Sequence, residues 1–208
     1  MVAENPKHDD VEVIKDKMLV IGRVYAAAVT RGAGVKDEIN DGLPSKLYDH
    51  LAQSIKDDGS RLDKDIGEIA KLDRVCRITL KHVVAVHSYL DNQIVRAINS
   101  WQKKSVEGHA VRGVRSRISF VSKYLHFHAP MAVFIYDSIS QKNLRLGGLK
   151  GQRVQWPEDW DENICTPYGN HCLRLLKYIE SESYEGKWTP RLVDGHLLGY
   201  IKKSSARV

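Results

Sequence analysis

Cysteine is scarce in this chain. Three occur in 208 residues, Cys76, Cys165 and Cys172, with no CxxC pair among them. An odd count without paired spacing excludes a disulfide framework and fits a reducing, cytoplasmic compartment. Long apolar runs are missing too, so no segment reads as a membrane span. The opening Met1-Val2-Ala3-Glu4-Asn5-Pro6 lacks the basic-then-apolar pattern of a secretory signal. There is no P-loop, no dinucleotide fingerprint, no Gly-x-Ser-x-Gly elbow, no internal repeat and no low-complexity tract. His126 and His128 stand two apart, and His171 adjoins Cys172. Neither has the i, i+4 spacing of helical zinc ligands, so no metal and no cofactor are expected.

Acidic residues are nearly absent from the middle of the chain. Between Trp101 and Arg153 the only acids are Glu107 and Asp137, against ten lysines and arginines. The whole chain carries a net charge of +6, so most of its positive excess lies in this band. Lys103, Lys104, Arg112, Arg115, Arg117, Lys150 and Arg153 are its candidate nucleic-acid contacts. A basic band of this kind points to a polyanion partner, with duplex DNA the expected one. The bland alternative is a solvated surface. A rival partner is a protein bearing an acidic patch.

What is present is an ordinary globular composition, 42% hydrophobic and 28% charged. A chain of this length buries roughly 70% of its unfolded surface, enough for one core. The expected architecture is a single all-α domain over 1–208, with flexible ends at 1–9 and 204–208. Apolar residues at Ile14, Met18, Ile21, Tyr25 and Ala28 predict a helix from Val11 to Thr30. A second begins after Pro44, capped by Ser45, with Leu47, Leu51 and Ile55 inward. Asp57-Asp58-Gly59-Ser60 reads as a turn, and Leu62 to Leu72 as a third helix. The longest stripe runs through Cys76, Leu80, Val83, His87, Leu90, Ile94, Ile98 and Trp101, with a break into two helices expected at Asp91-Asn92. Residues 103–113 read as a loop, and 147–166 as a long irregular one that holds two tryptophans. Helices follow after Pro167 and after Thr189-Pro190, the last reaching Ile201.

The least ordinary stretch is Ser119 to Ser138. Phe120, Tyr124 and Phe127 form one helical stripe, and Ile118, Val121 and Leu125 form another. Two apolar stripes leave little room for a polar face, so the helix at 116–128 should be buried nearly all round. Lys123 would then sit among apolar neighbours, which disfavour its charged form and make it a nucleophile. The alternative is that its amine snorkels to water. Pro130 ends the helix, and a new one opens near Asp137.

At these residues the chain resembles the helix-hairpin-helix superfamily of DNA glycosylases. Ser-Phe-Val-Ser-Lys-Tyr-Leu-His-Phe-His-Ala-Pro and Phe-Ile-Tyr-Asp-Ser are similar to a bacterial group with the 8-oxoguanine-glycosylase fold. The resemblance covers roughly residues 112–140. It implies a DNA-glycosylase-like fold, with Lys123 as nucleophile and Asp137 assisting departure of a damaged base. A flipped base would stack on aromatics drawn from Tyr124, Phe127, Tyr136, Trp156 and Trp160. His126, His128 and Ser138 complete the candidate pocket. The chain departs from the family in three ways. Its nearest glycine, Gly113, lies ten residues before Lys123, its Lys-to-Asp spacing is 14, and no proline stands just before Asp137. A non-catalytic binding module on the same fold is therefore the alternative. A further alternative is a ribonuclease of the HEPN class using Arg77 and His82, since histidine can act as acid or base while arginine steadies a phosphate.

Overall fold

Eight helices and no strand make up the regular structure of the described residues, which are 5–24, 27, 29, 46–105, 115–144, 154–181 and 188–199 of the computed structural model. The all-α expectation holds for them. Helix α1 (Val11–Val24) is capped by Asp10, whose carboxylate accepts the N–H groups of Glu12 at 2.8 Å and Val13 at 3.2 Å. It buries Ile14, Met18 and Ile21. It stops short of the predicted Thr30, because Ala27 and Val29 are not helical.

Helix α2 (Lys46–Asp57) buries Leu47, Leu51 and Ile55 as their spacing requires. Helix α3 (Gly59–Ala70) follows after Asp58 alone, so the expected turn at 57–60 shrinks to one residue. Gly59 also lets the N-terminal segment approach the start of α3. A Cβ there would lie 2.3 Å from the His8 carbonyl oxygen, so no side chain fits without moving the N-terminal backbone. Gly59→Ala is expected to cost about 1–3 kcal/mol and several degrees of melting temperature. An unchanged thermal melt would show that His8 moves aside freely.

Helix α4 (Arg77–Ser105) is one unbroken helix of 29 residues, not two. Asp91 does not interrupt it. Its carboxylate reaches outward instead, accepting the Ser116 hydroxyl and the Arg117 N–H, the latter at 2.5 Å. The helix lies along the middle of the fold and packs against α2, α3, α5 (Ile118–His128) and α7 (Pro167–Ser181). Its run through Ser105 takes up the first part of the expected 103–113 loop, and 106–114 lie outside the described residues.

Helix α5 is buried from Phe120 through His126, as its two apolar stripes predicted. Helix α6 (Ser138–Leu144) packs on α8 (Pro190–Leu197). Thr189 caps α8, its hydroxyl oxygen accepting the Leu192 N–H at 3.2 Å, with Pro190 in the first turn. The helix ends at Leu197, short of the predicted Ile201, which lies outside the described residues. The described part of the irregular segment, 154–166, is indeed non-helical. Among the described residues no helix is long and apolar enough to cross a membrane.

The expected flexible start at 1–9 is corrected at its far end. His8 is 1% exposed. Its Nδ1 lies 2.5 Å from Asp63 Oδ1 and its Nε2 lies 2.8 Å from the Tyr124 hydroxyl. A carboxylate can only accept, so Nδ1 carries the proton and Tyr124 donates to Nε2. The expected flexible tail, 204–208, lies outside the described residues.

Candidate functional site

The return from α5 to α6 is pinned by four hydrogen bonds. The His126 ring nitrogen Nδ1 donates to the Val133 carbonyl at 2.7 Å, and the Tyr168 hydroxyl donates to Phe134 O at 2.9 Å. His171 Nε2 donates to Ile135 O at 3.0 Å, and the Tyr136 N–H donates to Ser122 Oγ at 3.0 Å. Buried backbone groups need partners, and these side chains supply them where no helix or strand does. The last bond matters most for function. Ser122 on α5 thereby fixes the backbone that leads into Asp137.

Lys123 is largely buried, 9% exposed. Asp137 caps α6, accepting the Ser140 N–H at 2.7 Å. The Ser140 hydroxyl in turn donates to Asp194 Oδ1 at 3.2 Å. One serine thus links two carboxylates, one from the start of α6 and one from α8. Asp194 is pushed up to about 6, first by burial and then by the negative charge of Asp137. The Ser140 hydrogen bond and the positive charge of Lys123 oppose that rise. Asp137 and Lys123 therefore both act on Asp194, with opposite sign. An amine and two carboxylates, one held near neutrality, are the components of nucleophilic and acid–base chemistry.

Asp194 is the residue that sequence reasoning missed. It lies four positions after Pro190, inside a helix whose cap was legible, but nothing local marks it as a partner of Lys123.

The other candidate residues divide into groups. Tyr136 stays beside the site, half-buried, its ring edge-on to His171 at 5.0 Å between centroids. His126 is buried with its ring committed to Val133. Burial lowers its pKa against that hydrogen bond, and the charge of Arg191 lowers it further. Phe127 is half-buried and meets the His126 ring edge-on at 6.1 Å. Ser138 is exposed at the first turn of α6.

Tyr124 and His128 face a different cluster. They pack against His8, with ring centroids 5.7 and 5.0 Å away. Lys17, fully buried nearby, donates to the Lys7 carbonyl at 2.8 Å. Burial pushes Lys17 down to about 8, opposed by Asp63 and Asp9. His128 falls to about 3, through burial first and then the charges of His8 and Lys17. The stacking pocket expected to include Tyr124 is thus corrected. Its ring is fully enclosed and its hydroxyl is engaged with His8.

Of the basic band, Lys103 and Arg115 are exposed. Arg117 is half-buried, and its Nε and Nη2 are shielded and without a hydrogen-bond partner among the described residues. The Lys104 side chain, Arg112, Lys150 and Arg153 lie outside the described residues. Arg77 and His82 do not share a site. Arg77 pairs with Glu180 on α7 at 3.3 Å, and His82 with Glu68 on α3 at 3.4 Å. Among the described residues no three His, Cys, Asp or Glu side chains gather as metal ligands.

No family model, no curated protein and no solved structure matches this chain.

Proposed function

We propose that the protein acts on DNA as a glycosylase, with Lys123 as nucleophile and Asp137 and Asp194 as its acid–base partners. The observation that carries this reading is a raised carboxyl, Asp194 at about 6, on which the charges of the buried Lys123 and of Asp137 both act. The resemblance of residues 112–140 to glycosylases supplies the substrate class. The basic excess between Trp101 and Arg153 supplies the reason for DNA.

The steps follow from the groups present. Lys123 first gives its ammonium proton to the Asp137 carboxylate, and the neutral Nζ then attacks C1′ of the sugar. As the C1′–N bond breaks, its electron pair leaves on the base. Asp194 in its protonated form donates a proton to that nitrogen. Asp137 also faces the positive charge that develops on the sugar. As the C1′–O4′ bond opens, one proton of the new secondary ammonium passes to O4′, leaving an iminium that water hydrolyses. Borohydride would instead deliver hydride to the iminium carbon and leave a permanent amine link.

The test uses duplexes carrying oxidised, alkylated or deaminated bases. With borohydride present, the native protein should form a denaturation-resistant complex on at least one of them, and Lys123→Gln should form none. Equal trapping by Lys123→Gln would remove Lys123 from the chemistry. No trapping on any lesion would leave a helical DNA-binding module in its place.

A further inference from the structure

Beside Tyr136, two adjoining cavities of about 430 and 550 Å³ share Trp156, Asn170 and Arg174 as lining residues. Both volumes fall within the ~300–1,000 Å³ typical of small-molecule sites. Asn170 and Arg174 are four apart on α7 and so lie on one face of it. The opposite wall exists because of Gly169. A Cβ there would come within 2.8 Å of the Ile164 carbonyl oxygen and 3.0 Å of the Trp160 ring, so only glycine lets the 154–166 segment close on α7. Trp160 is buried by that approach, and Trp156 lies against it at 5.7 Å between centroids. Trp156 is left half-buried, with part of its surface lining the groove.

The polar groups in the groove have defined roles. His171 is driven down to about 4, chiefly by burial and against the Ile135 carbonyl and the charge of Asp137, so at neutral pH it holds one ring proton. That proton sits on Nε2, facing the Ile135 carbonyl. Nδ1 must then accept, and the Gln141 atom 2.6 Å away is its amide nitrogen. This fixes the Gln141 amide, leaving its oxygen and second N–H as a donor–acceptor edge at the groove wall. Arg174 has a buried Nε with no hydrogen-bond partner among the described residues. A buried guanidinium nitrogen without an acceptor costs free energy that an anion would return.

We propose that this groove binds a 5′-phosphorylated nucleotide. Its ring stacks against Tyr136 and Trp156, its polar edge meets Gln141, and its phosphate meets Arg174. The ligand can come from two sources with the same chemistry, a free nucleoside monophosphate or the phosphorylated end of a DNA strand. The site needs no lesion and no covalent step, so it goes beyond the glycosidic reading.

Calorimetric titration of the native protein separates these sources. The probes are nucleoside monophosphates, the matching nucleosides, inorganic phosphate, and one oligonucleotide with either a 5′-phosphate or a 5′-hydroxyl. The phosphorylated member of each pair should bind at least tenfold more tightly. Arg174→Gln should erase that difference, and Arg174→Lys should restore part of it. Gln141→Leu should weaken both members alike. Circular dichroism checks that each variant is folded. A preference confined to the oligonucleotide assigns the groove to strand ends, and one confined to monophosphates assigns it to free nucleotides. Binding of none of these at millimolar concentration, or binding indifferent to Arg174, overturns the proposal. These titrations involve no borohydride and no turnover, so their failure and a failure of trapping are separate results.

Discussion

Acidification from pH 7 to about 4.5 should cost this protein several kcal/mol of its folding free energy. His87 and His128 are pushed down to about 3 and His171 to about 4, in each case chiefly by burial. The ring of His87 stacks on Tyr168 at 3.7 Å. Its Nε2 lies 3.3 Å from the Ile118 carbonyl. An unfolded histidine binds its proton near pH 6.5, well before any of these folded ones. The unfolded state therefore takes up more protons below that pH, and stability falls as pH falls. His8 and His126 are lowered as well and act in the same direction. Asp194 and Asp91, both raised chiefly by burial, act in the opposite direction. The folded Asp194 carboxyl protonates near 6, above the ordinary carboxylate value, so it favours the fold between pH 6 and 4. The three histidines against Asp194 leave a net uptake of about two protons, or about 3 kcal/mol per pH unit, which Asp91 reduces. Over the two units from pH 6.5 to 4.5 this amounts to about 6 kcal/mol, comparable to the lower end of the about 5–15 kcal/mol typical of a domain. Urea titrations at successive pH values measure this slope. His128→Gln should flatten it by about one proton whatever its effect at neutral pH. A stability that stays constant from pH 7 to 4.5 would mean that these histidines charge in place.

The second large effect concerns Asp194 in the proposed reaction. If its proton is the one given to the leaving base, the single-turnover rate should fall about tenfold per unit as pH rises past 6. Asp194→Asn should lower the rate by about 10²–10⁴ and abolish that limb of the profile. Asp137→Asn should still bind DNA and turn over far more slowly. It should also move the limb to lower pH, because the Asp137 charge is part of what holds the Asp194 proton. Carboxyl NMR reads the same coupling without any turnover. Asp194 should titrate near 6 in the native protein, lower in Asp137→Asn and higher in Lys123→Gln, where an opposing positive charge is gone. Titration of Asp194 in the ordinary carboxylate range, unmoved by either variant, would dissolve the three-residue site.

The helices were legible because each buries a stripe whose period is local. Ile14, Met18 and Ile21 on α1, or Leu47, Leu51 and Ile55 on α2, need no knowledge of their neighbours. Caps are local too, and Thr189-Pro190 announced α8 correctly. The break expected at Asp91 failed for a reason outside its own helix. Its carboxylate is satisfied by Ser116 and the Arg117 N–H, 25 and 26 residues on, so it has no need to turn the helix. The His8 contact was hidden in the same way, since Tyr124 lies 116 residues further along the chain.

The sequence by itself determined that this is an all-helical chain with a basic middle and a lysine on a buried helix, because periodicity, charge and apolar stripes are properties of neighbouring residues. Only the tertiary structure decided what that lysine meets. Ser122 holding Tyr136, Ser140 linking Asp137 to Asp194, and Gly169 opening a way for Trp160 all join residues from different elements. Hydrogen bonds and burial act across space, so groups far apart in sequence shift one another's protons, and no local pattern carries that information.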